Sequence, residues 1–147
     1  MQKMGRILAI DYGRARIGLA LSDSQKRIAL PYKVVDVPKN AKDLALFLLA
    51  TIQTIQDVDQ ILVGHPLLMN ATKGEMTLEV EAFAERLSRL IPIPIVLWDE
   101  RFTSSIAEQS LKEMGLSRKQ RKGKTDPAAA ALLLQSYLDS LVFTKTT

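Results

Sequence analysis

With 147 residues, 47% of them apolar, the chain has enough length and apolar content for one domain with a buried core. It contains no cysteine, which excludes disulfide bonds and metal sites built from thiolates. The formal net charge of +4 favours a polyanionic partner, but only weakly. The apolar runs 7–10 and 44–55 are too short for a signal peptide and a membrane span, respectively. We therefore expect a single soluble domain over residues 1–147, located in the cytoplasm.

The first forty residues predict three strands. Arg6–Asp11 (RILAID) is an apolar run that ends in an acid. Arg16–Asp23 and Ile28–Val35 are two further strand-like runs, each bounded by turn or charged residues. The four residues between the first two runs are enough for a hairpin turn, so the three strands should form an antiparallel meander.

After residue 40 the pattern alternates between helix and strand. Two more strands are predicted, Gln60–Gly64 and Ile93–Trp98. Capping residues indicate where four helices begin: Asn40 with Asp43, Thr72 with Glu75, Ser105 with Glu108, and Asp126 before Pro127. The third helix should end at Gly115 and the last near Leu141. The order βββαβαβαα predicts an α/β fold, with a mixed five-stranded sheet of three antiparallel strands and a parallel βαβαβ unit, and helices on both faces.

Acidic side chains stand at the ends of these elements. Asp11 ends the first strand, Asp99 and Glu100 follow the fifth, and Asp126 precedes the last helix. Carboxyl ends of parallel strands meet at one edge of a sheet, and converging carboxylates are the ligands that Mg²⁺ or Mn²⁺ prefers. Such ions activate water for attack on a phosphodiester. Asp99 and Glu100 should point to opposite faces, and periodicity leaves open which of them faces Asp11.

Other catalytic arrangements are poorly supplied. The chain has one histidine, His65, which excludes a histidine-rich zinc site. No nucleophile-elbow motif accompanies His65 as the base of a serine hydrolase. We interpret His65 as a structural residue rather than a ligand.

Basic residues surround the predicted acids. The segment Arg118–Lys124 (RKQRKGK) has five cations in seven residues and lies just before Asp126. Such runs are often solvated loops, but beside a metal site this one favours phosphate binding. The residues expected to contact nucleic acid are Arg14, Arg16, Arg101, Arg118, Lys119, Arg121, Lys122 and Lys124.

Four segments resemble, in order, the motifs of the YqgF/RuvX family. Asp11–Ala20 (DYGRARIGLA) is similar to the family's opening D-x-G-x-x-R-I-G-x-A. The later motifs are resembled by Val63–Pro66, Asp99–Thr103 and Lys124–Ala130. The resemblance covers essentially the whole chain and implies an RNase H-like fold. It also implies a nuclease, since the family is described both as Holliday junction resolvases and as nucleases that mature the 5′ end of the 16S ribosomal RNA precursor.

The resemblance further implies a set of site residues. Asp11, Glu100 and Asp126 would be the catalytic acids and would hold one or two Mg²⁺ (or Mn²⁺) ions, which favours Glu100 over Asp99. We expect processing of the ribosomal RNA precursor in ribosome biogenesis, with resolution of branched DNA as the alternative. A resolvase would be expected to act as a homodimer on a two-fold substrate, whereas an RNA-processing enzyme need not, so monomer and homodimer both stay open.

One loop departs from the family pattern. After the fourth strand the family usually reads G-L-P-x-N-M-D-G, whereas Gly64–Ala71 reads GHPLLMNA. His65 replaces an apolar residue, Leu68 an amide, and Asn70-Ala71 the Asp-Gly turn. The departure is confined to this loop and leaves the three predicted acids unchanged.

Two other classes of function stay open from the sequence. One is a non-catalytic nucleic-acid-binding module that uses the basic segment Arg118–Lys124. The other is a nucleotide-binding protein of the actin and sugar-kinase type, whose phosphate motif also opens with D-x-G. Those proteins clamp a nucleotide between two such domains, and 147 residues supply only one.

Overall fold

A five-stranded sheet with helices on both faces forms the framework of the protein. The structure, a computed structural model, describes residues 5–103 and 127–146. The strands are β1 (Arg6–Asp11), β2 (Arg16–Ser22), β3 (Ala29–Asp36), β4 (Val58–His65) and β5 (Ile95–Asp99). The helices are α1 (Leu44–Gln53), α2 (Glu75–Leu90) and α3 (Pro127–Thr146), with a 3₁₀ turn at Glu100–Phe102. Among the described residues, no helix is both long and apolar enough to cross a membrane.

The strand order is β3-β2-β1-β4-β5. β1 pairs antiparallel with β2, and β2 pairs antiparallel with β3. On its other side β1 pairs parallel with β4, which pairs parallel with β5. The expected meander followed by parallel strands is therefore confirmed, and the carboxyl ends of β1, β4 and β5 lie at one edge of the sheet.

β1 runs through the centre of the molecule and is buried on both faces. Leu8 and Ile10 pack in the core that contains α1 and α2, while Ile7 and Ala9 pack in the core under α3. All four side chains are fully buried, which explains why β1 is a continuous apolar run rather than an alternating one. The row formed by Ile7 and Ala9 continues at Asp11, which places this acid on the α3 side at the end of the strand.

Hydrogen bonds fix α3 to both halves of the sheet. Gln135, which is buried, accepts from the backbone N–H of Ala29 in β3 at 3.0 Å. At β5 the Trp98 indole N–H donates to the Ser136 hydroxyl at 2.9 Å, and the Trp98 ring meets Tyr137 edge to face. Because these bonds hold the middle of α3, the first turn of this helix lies close to the carboxyl ends of the parallel strands.

The helix starts differ from those expected. Asp43, not Asn40, caps α1: its carboxylate accepts from Leu46 N–H at 3.1 Å and also binds Arg86 of α2. A tertiary ion pair therefore reinforces the cap at Asp43, and this pair is invisible in local sequence.

The start of α2 also differs from the expected capping box. Gly74 takes the N-cap position, and its N–H donates to the Thr77 hydroxyl. The predicted cap, Thr72, bonds Asn70 in the preceding loop instead.

Strand and helix ends shift by small amounts elsewhere. β5 begins at Ile95 rather than Ile93, in keeping with Pro94, which has no N–H for the ladder. α3 begins at Pro127, as the sequence indicates, and continues beyond Leu141 to Thr146. The predicted helix between Ser105 and Gly115 lies outside the described residues.

Candidate active site

Two acids lie in one cleft at the carboxyl edge of the parallel strands. Asp11 and Glu100 both line an open cleft of about 330 Å³. One wall comes from the first turns of α3, with Ala129, Leu132 and Leu133. Thr103 is the remaining lining residue. The cleft therefore combines two carboxylates with a largely apolar wall, an arrangement in which charge is poorly solvated.

Strand alternation brings these two acids together. On β5, Val96 and Trp98 face the core under α3, and Glu100 emerges two residues later on the same side. β4 separates β1 from β5, and its Gly64 lies beneath the Glu100 carboxylate. A Cβ placed on Gly64 would be only 2.6 Å from Glu100 Oε1, so the carboxylate lies directly over this backbone.

Burial and charge both act on Glu100. Burial, and after it the negative charges of Asp11 and Asp99, raises the pKa of Glu100 from 4.5 to about 7. A carboxyl held beside another carboxylate in this way is stabilised by a proton or by a cation. The electrostatics of the cleft thus favour binding of a positive charge between Asp11 and Glu100.

Asp99 has a different environment from Glu100. It lies opposite His65 in the parallel register of β4 and β5. Its carboxylate pairs with both the Nε and the Nη2 of Arg101, at 3.0 and 2.7 Å, and Arg101 holds the pKa of Asp99 below its usual range. The Arg101 Nη1 also donates to the Met69 carbonyl oxygen at 3.2 Å. Asp99 therefore orients Arg101, which fastens the loop after β4 to the end of β5.

His65 forms a polar contact with α2. Its Nε2 lies 2.8 Å from Glu81 Oε2, and Lys73 pairs with the same carboxylate at 3.0 Å. These two partners lower the pKa of Glu81, Lys73 having the larger effect. The histidine thus anchors the start of the divergent loop, in line with the structural role expected for it.

The three described arginines expected to contact nucleic acid all have acidic partners. Arg14 pairs with Glu79 at 2.9 Å, on the α2 side of the sheet. Arg16 pairs with Asp36 at 3.4 Å, and Arg101 pairs with Asp99 as described. All three are exposed, so phosphate groups can reach them, but each would exchange an existing ion pair for a new one.

The remaining predicted site residues lie outside the described residues: Asp126, Arg118, Lys119, Arg121, Lys122 and Lys124. In the described ranges, 5–103 and 127–146, no three acidic or histidine side chains converge as a metal site. The two carboxylates that do meet are hard oxygen donors of the type that Mg²⁺ and Mn²⁺ prefer. Asp11 and Glu100 therefore fit such an ion chemically.

Thr103 and Gly64 are among the contributors to the cleft that sequence inspection missed. Thr103 lines it from the end of the 3₁₀ turn, and Gly64 provides the space for Glu100. Thr103 lies in the segment Asp99–Thr103, where the chain forms an irregular turn. The periodicities of strands and helices predict nothing about the side chains of such a turn. The signal at Gly64 was its position inside an otherwise apolar strand, where glycine often marks a close approach.

The order of the strands, with acids at the carboxyl edge, defines an RNase H-like α/β protein, and solved structures bear out this class. Thermus thermophilus RuvC in complex with a Holliday junction substrate superimposes with a TM-score of 0.64 over 95% of this chain and 97% of RuvC, at 13% identity. Fowlpox virus resolvase in complex with Holliday junction DNA gives a TM-score of 0.57 over 93% and 99% of the two chains, also at 13% identity. At this level of identity the likeness establishes the fold.

Sequence comparison identifies the family. The family profile described as "RuvX: Holliday junction resolvase" matches residues 5–140. A protein of Protochlamydia amoebophila described as "Putative pre-16S rRNA nuclease" is 45% identical over 94% of this chain and 95% of its own length. A protein of Chlamydia pneumoniae with the same description is 43% identical over 91% and 89% of the two chains. The chain belongs to the RuvX family, which confirms the resemblance seen in its four motifs.

Proposed function

We propose that this protein is a metal-dependent nuclease that hydrolyses phosphodiester bonds and processes the 5′ end of the 16S ribosomal RNA precursor in the cytoplasm. The observation that carries the proposal is the pairing of Asp11 with Glu100 in one cleft, where Glu100 has a pKa raised to about 7. Membership of the RuvX family supports phosphodiester hydrolysis. The descriptions of the relatives support ribosomal RNA as the first substrate to test.

Asp11, Glu100 and Asp126 would hold one or two Mg²⁺ or Mn²⁺ ions. Such an ion, when bound, activates water and neutralises the charge of the phosphodiester. Asp126 directly precedes Pro127 in the chain, and the first turns of α3 line the cleft, which supports its inclusion.

The protein's own residues perform three tasks in this proposal. Asp11 and the partly buried Glu100 place two carboxylates in one cleft, where together they bind a cation more favourably than either would alone. Leu132 and Leu133 form an apolar wall of the cleft beside the two carboxylates. The basic segment Arg118–Lys124 neutralises backbone phosphates on the substrate, so binding should weaken as salt is raised.

A second substrate is favoured by a separate observation. The family description names Holliday junction resolution, and the fold is that of RuvC. Branched DNA is therefore the alternative substrate, and with it a homodimer, whereas ribosomal RNA processing is compatible with a monomer. A purely nucleic-acid-binding role would not explain why Asp11 and Glu100 share one cleft, where burial and the repulsion between the two carboxylates destabilise the metal-free fold.

The test uses both substrates side by side. A 5′-labelled fragment of the 16S ribosomal RNA precursor and a four-way DNA junction are incubated with the protein in Mg²⁺, in Mn²⁺ and in EDTA. We expect cleavage of the RNA fragment that requires the divalent ion. Preferential cleavage of the junction would favour the resolvase. Salt-sensitive binding of both without cleavage of either would replace the nuclease with a binding module.

Size measurement of the active species completes the comparison. An active dimer with junction cleavage supports the resolvase, and an active monomer with RNA cleavage supports the proposed function. Asp59→Asn serves as a matched acid-to-amide control, because Asp59 pairs with Lys26 near the start of β4 and does not line the cleft.

A further inference from the structure

Gly64 occupies an unusual position inside β4. The strand runs from Val58 to His65, and Ile61, Leu62 and Val63, immediately before Gly64, are fully buried. A glycine in such a run packs no side chain and loses more conformational entropy on folding than any other residue. The surroundings of Gly64 therefore have to account for a glycine at this position.

Space, rather than backbone conformation, accounts for the glycine. Gly64 pairs with Trp98 in the regular parallel ladder of β4 and β5, and its φ angle lies outside the left-handed region. A Cβ at this position would lie 2.6 Å from Glu100 Oε1 and 3.2 Å from Glu100 Cγ. On the same side it would lie 3.1 Å from Leu133 Cδ2 of α3. The volume that a side chain would fill is thus occupied by the Glu100 carboxylate.

We propose that Gly64 is a positioning residue for metal binding: the missing side chain leaves the space in which the Glu100 carboxylate lies over β4 and shares the cleft with Asp11. This inference rests on the proposed function, since it assigns Gly64 a role through a proposed metal ligand. Gly64 itself contacts neither metal nor substrate in this role.

An alanine at position 64 should displace Glu100 without unfolding the protein. The Glu100 carboxylate is the far end of a flexible side chain that is partly exposed, so it can rotate away at little cost. Leu133 needs to give by only a few tenths of an ångström. The expected result is a folded chain whose carboxylate no longer lies beside Asp11.

The experiment measures binding of Mn²⁺ alone to the metal-free full-length chain, by electron paramagnetic resonance of the free ion. We expect Gly64→Ala to weaken Mn²⁺ binding by about tenfold or more, as is typical when a residue that orients a ligand is lost. Glu100→Gln should weaken it at least as much. In the double variant Gly64→Ala, Glu100→Gln, the glycine substitution should add nothing, because it acts only through Glu100.

A matched control exists at the opposite end of the sheet. A Cβ at Gly5 would lie 2.5 Å from Asp59 Oδ2 and 2.7 Å from Asp59 Cβ, so Asp59 would have to move there as Glu100 would at Gly64, but Asp59 does not line the cleft. Gly5→Ala should therefore leave Mn²⁺ binding unchanged. If Gly64→Ala does not fold, adding Leu133→Val removes the apolar contact and keeps the conflict with Glu100.

The outcomes separate this inference from the proposed function. Should Gly64→Ala bind Mn²⁺ like the wild type while Glu100→Gln loses it, the role of Gly64 is wrong and the metal site stands. Should Glu100→Gln bind like the wild type, the metal site is wrong and Gly64 has no ligand to position. An equal additional loss from Gly64→Ala in the Glu100→Gln background would show that the glycine acts through general packing.

Discussion

Replacing Glu100 with glutamine should stabilise the metal-free protein at alkaline pH, although it removes a proposed catalytic group. The pKa of Glu100 is about 7 in the fold against 4.5 ordinarily. The folded chain therefore binds more protons than the unfolded chain between these two values, so stability falls as pH rises through that window. The loss of stability is absent below pH 4.5 and complete above pH 7.

The magnitude follows from the size of this shift. At about 1.4 kcal/mol for each tenfold change in proton affinity, the full shift corresponds to about 3 kcal/mol. Glu100 retains some exposure, and solvent screening reduces the gain expected from Glu100→Gln to about 1–2 kcal/mol at pH 8. At pH 4 the variant and the wild type should be equally stable.

Urea unfolding in EDTA measures the difference in stability between the variant and the wild type at pH 4 and at pH 8. Glu79→Gln is the matched control, because Arg14 and Tyr12 lower the pKa of Glu79 and the sign of the effect on stability reverses. Glu79→Gln should be less stable than the wild type at pH 8 and should approach it as pH falls through the pKa of Glu79. A Glu100→Gln variant that is no more stable than the wild type at pH 8 would refute the account of the cleft as electrostatically strained.

Three further results are expected. Asp11→Asn should lower the pKa of Glu100 in the metal-free protein, though not to 4.5, because burial is the larger cause; carbon-13 NMR titration of the Glu100 carboxyl measures this, and an unchanged pKa would mean that the two acids do not interact. Arg101→Ala should increase amide hydrogen exchange in the loop 66–73, because the bond to the carbonyl of Met69 is lost, and exchange at the wild-type rate would count against that tether. Leu134→Ala should cost about 2–5 kcal/mol in urea unfolding, because Leu134 is fully buried under the sheet, and a cost below 1 kcal/mol would contradict its place in the core.

The sheet was predictable from the sequence because its signals are local. The apolar run of β1 and the turn-bounded runs of β2 and β3 define their strands without reference to the rest of the chain. Helix caps were less predictable: Asp43 caps α1 while it also binds Arg86, 43 residues away in sequence. The local capping pattern of a sequence does not reveal an ion pair of that kind.

The site was predictable in part. Acids at strand ends drew attention to Asp11 and to the pair Asp99–Glu100, but alternation alone could not choose between those two neighbours. The choice depends on which face of β5 packs against α3, and Trp98 with its bond to Ser136 defines that face. The space over Gly64 depends on three chain segments meeting, which no linear pattern encodes.

Single-turnover cleavage shows whether the cleft of Asp11 and Glu100 is a metal-dependent nuclease site. The 16S ribosomal RNA precursor fragment is cleaved by excess protein in Mg²⁺, with the wild type, Asp11→Asn and the control Asp59→Asn compared at equal occupancy of the RNA. We expect Asp11→Asn to lose cleavage while it still folds and binds RNA, and Asp59→Asn to cleave like the wild type. Cleavage by Asp11→Asn at the wild-type rate would mean that this cleft is not the nuclease site.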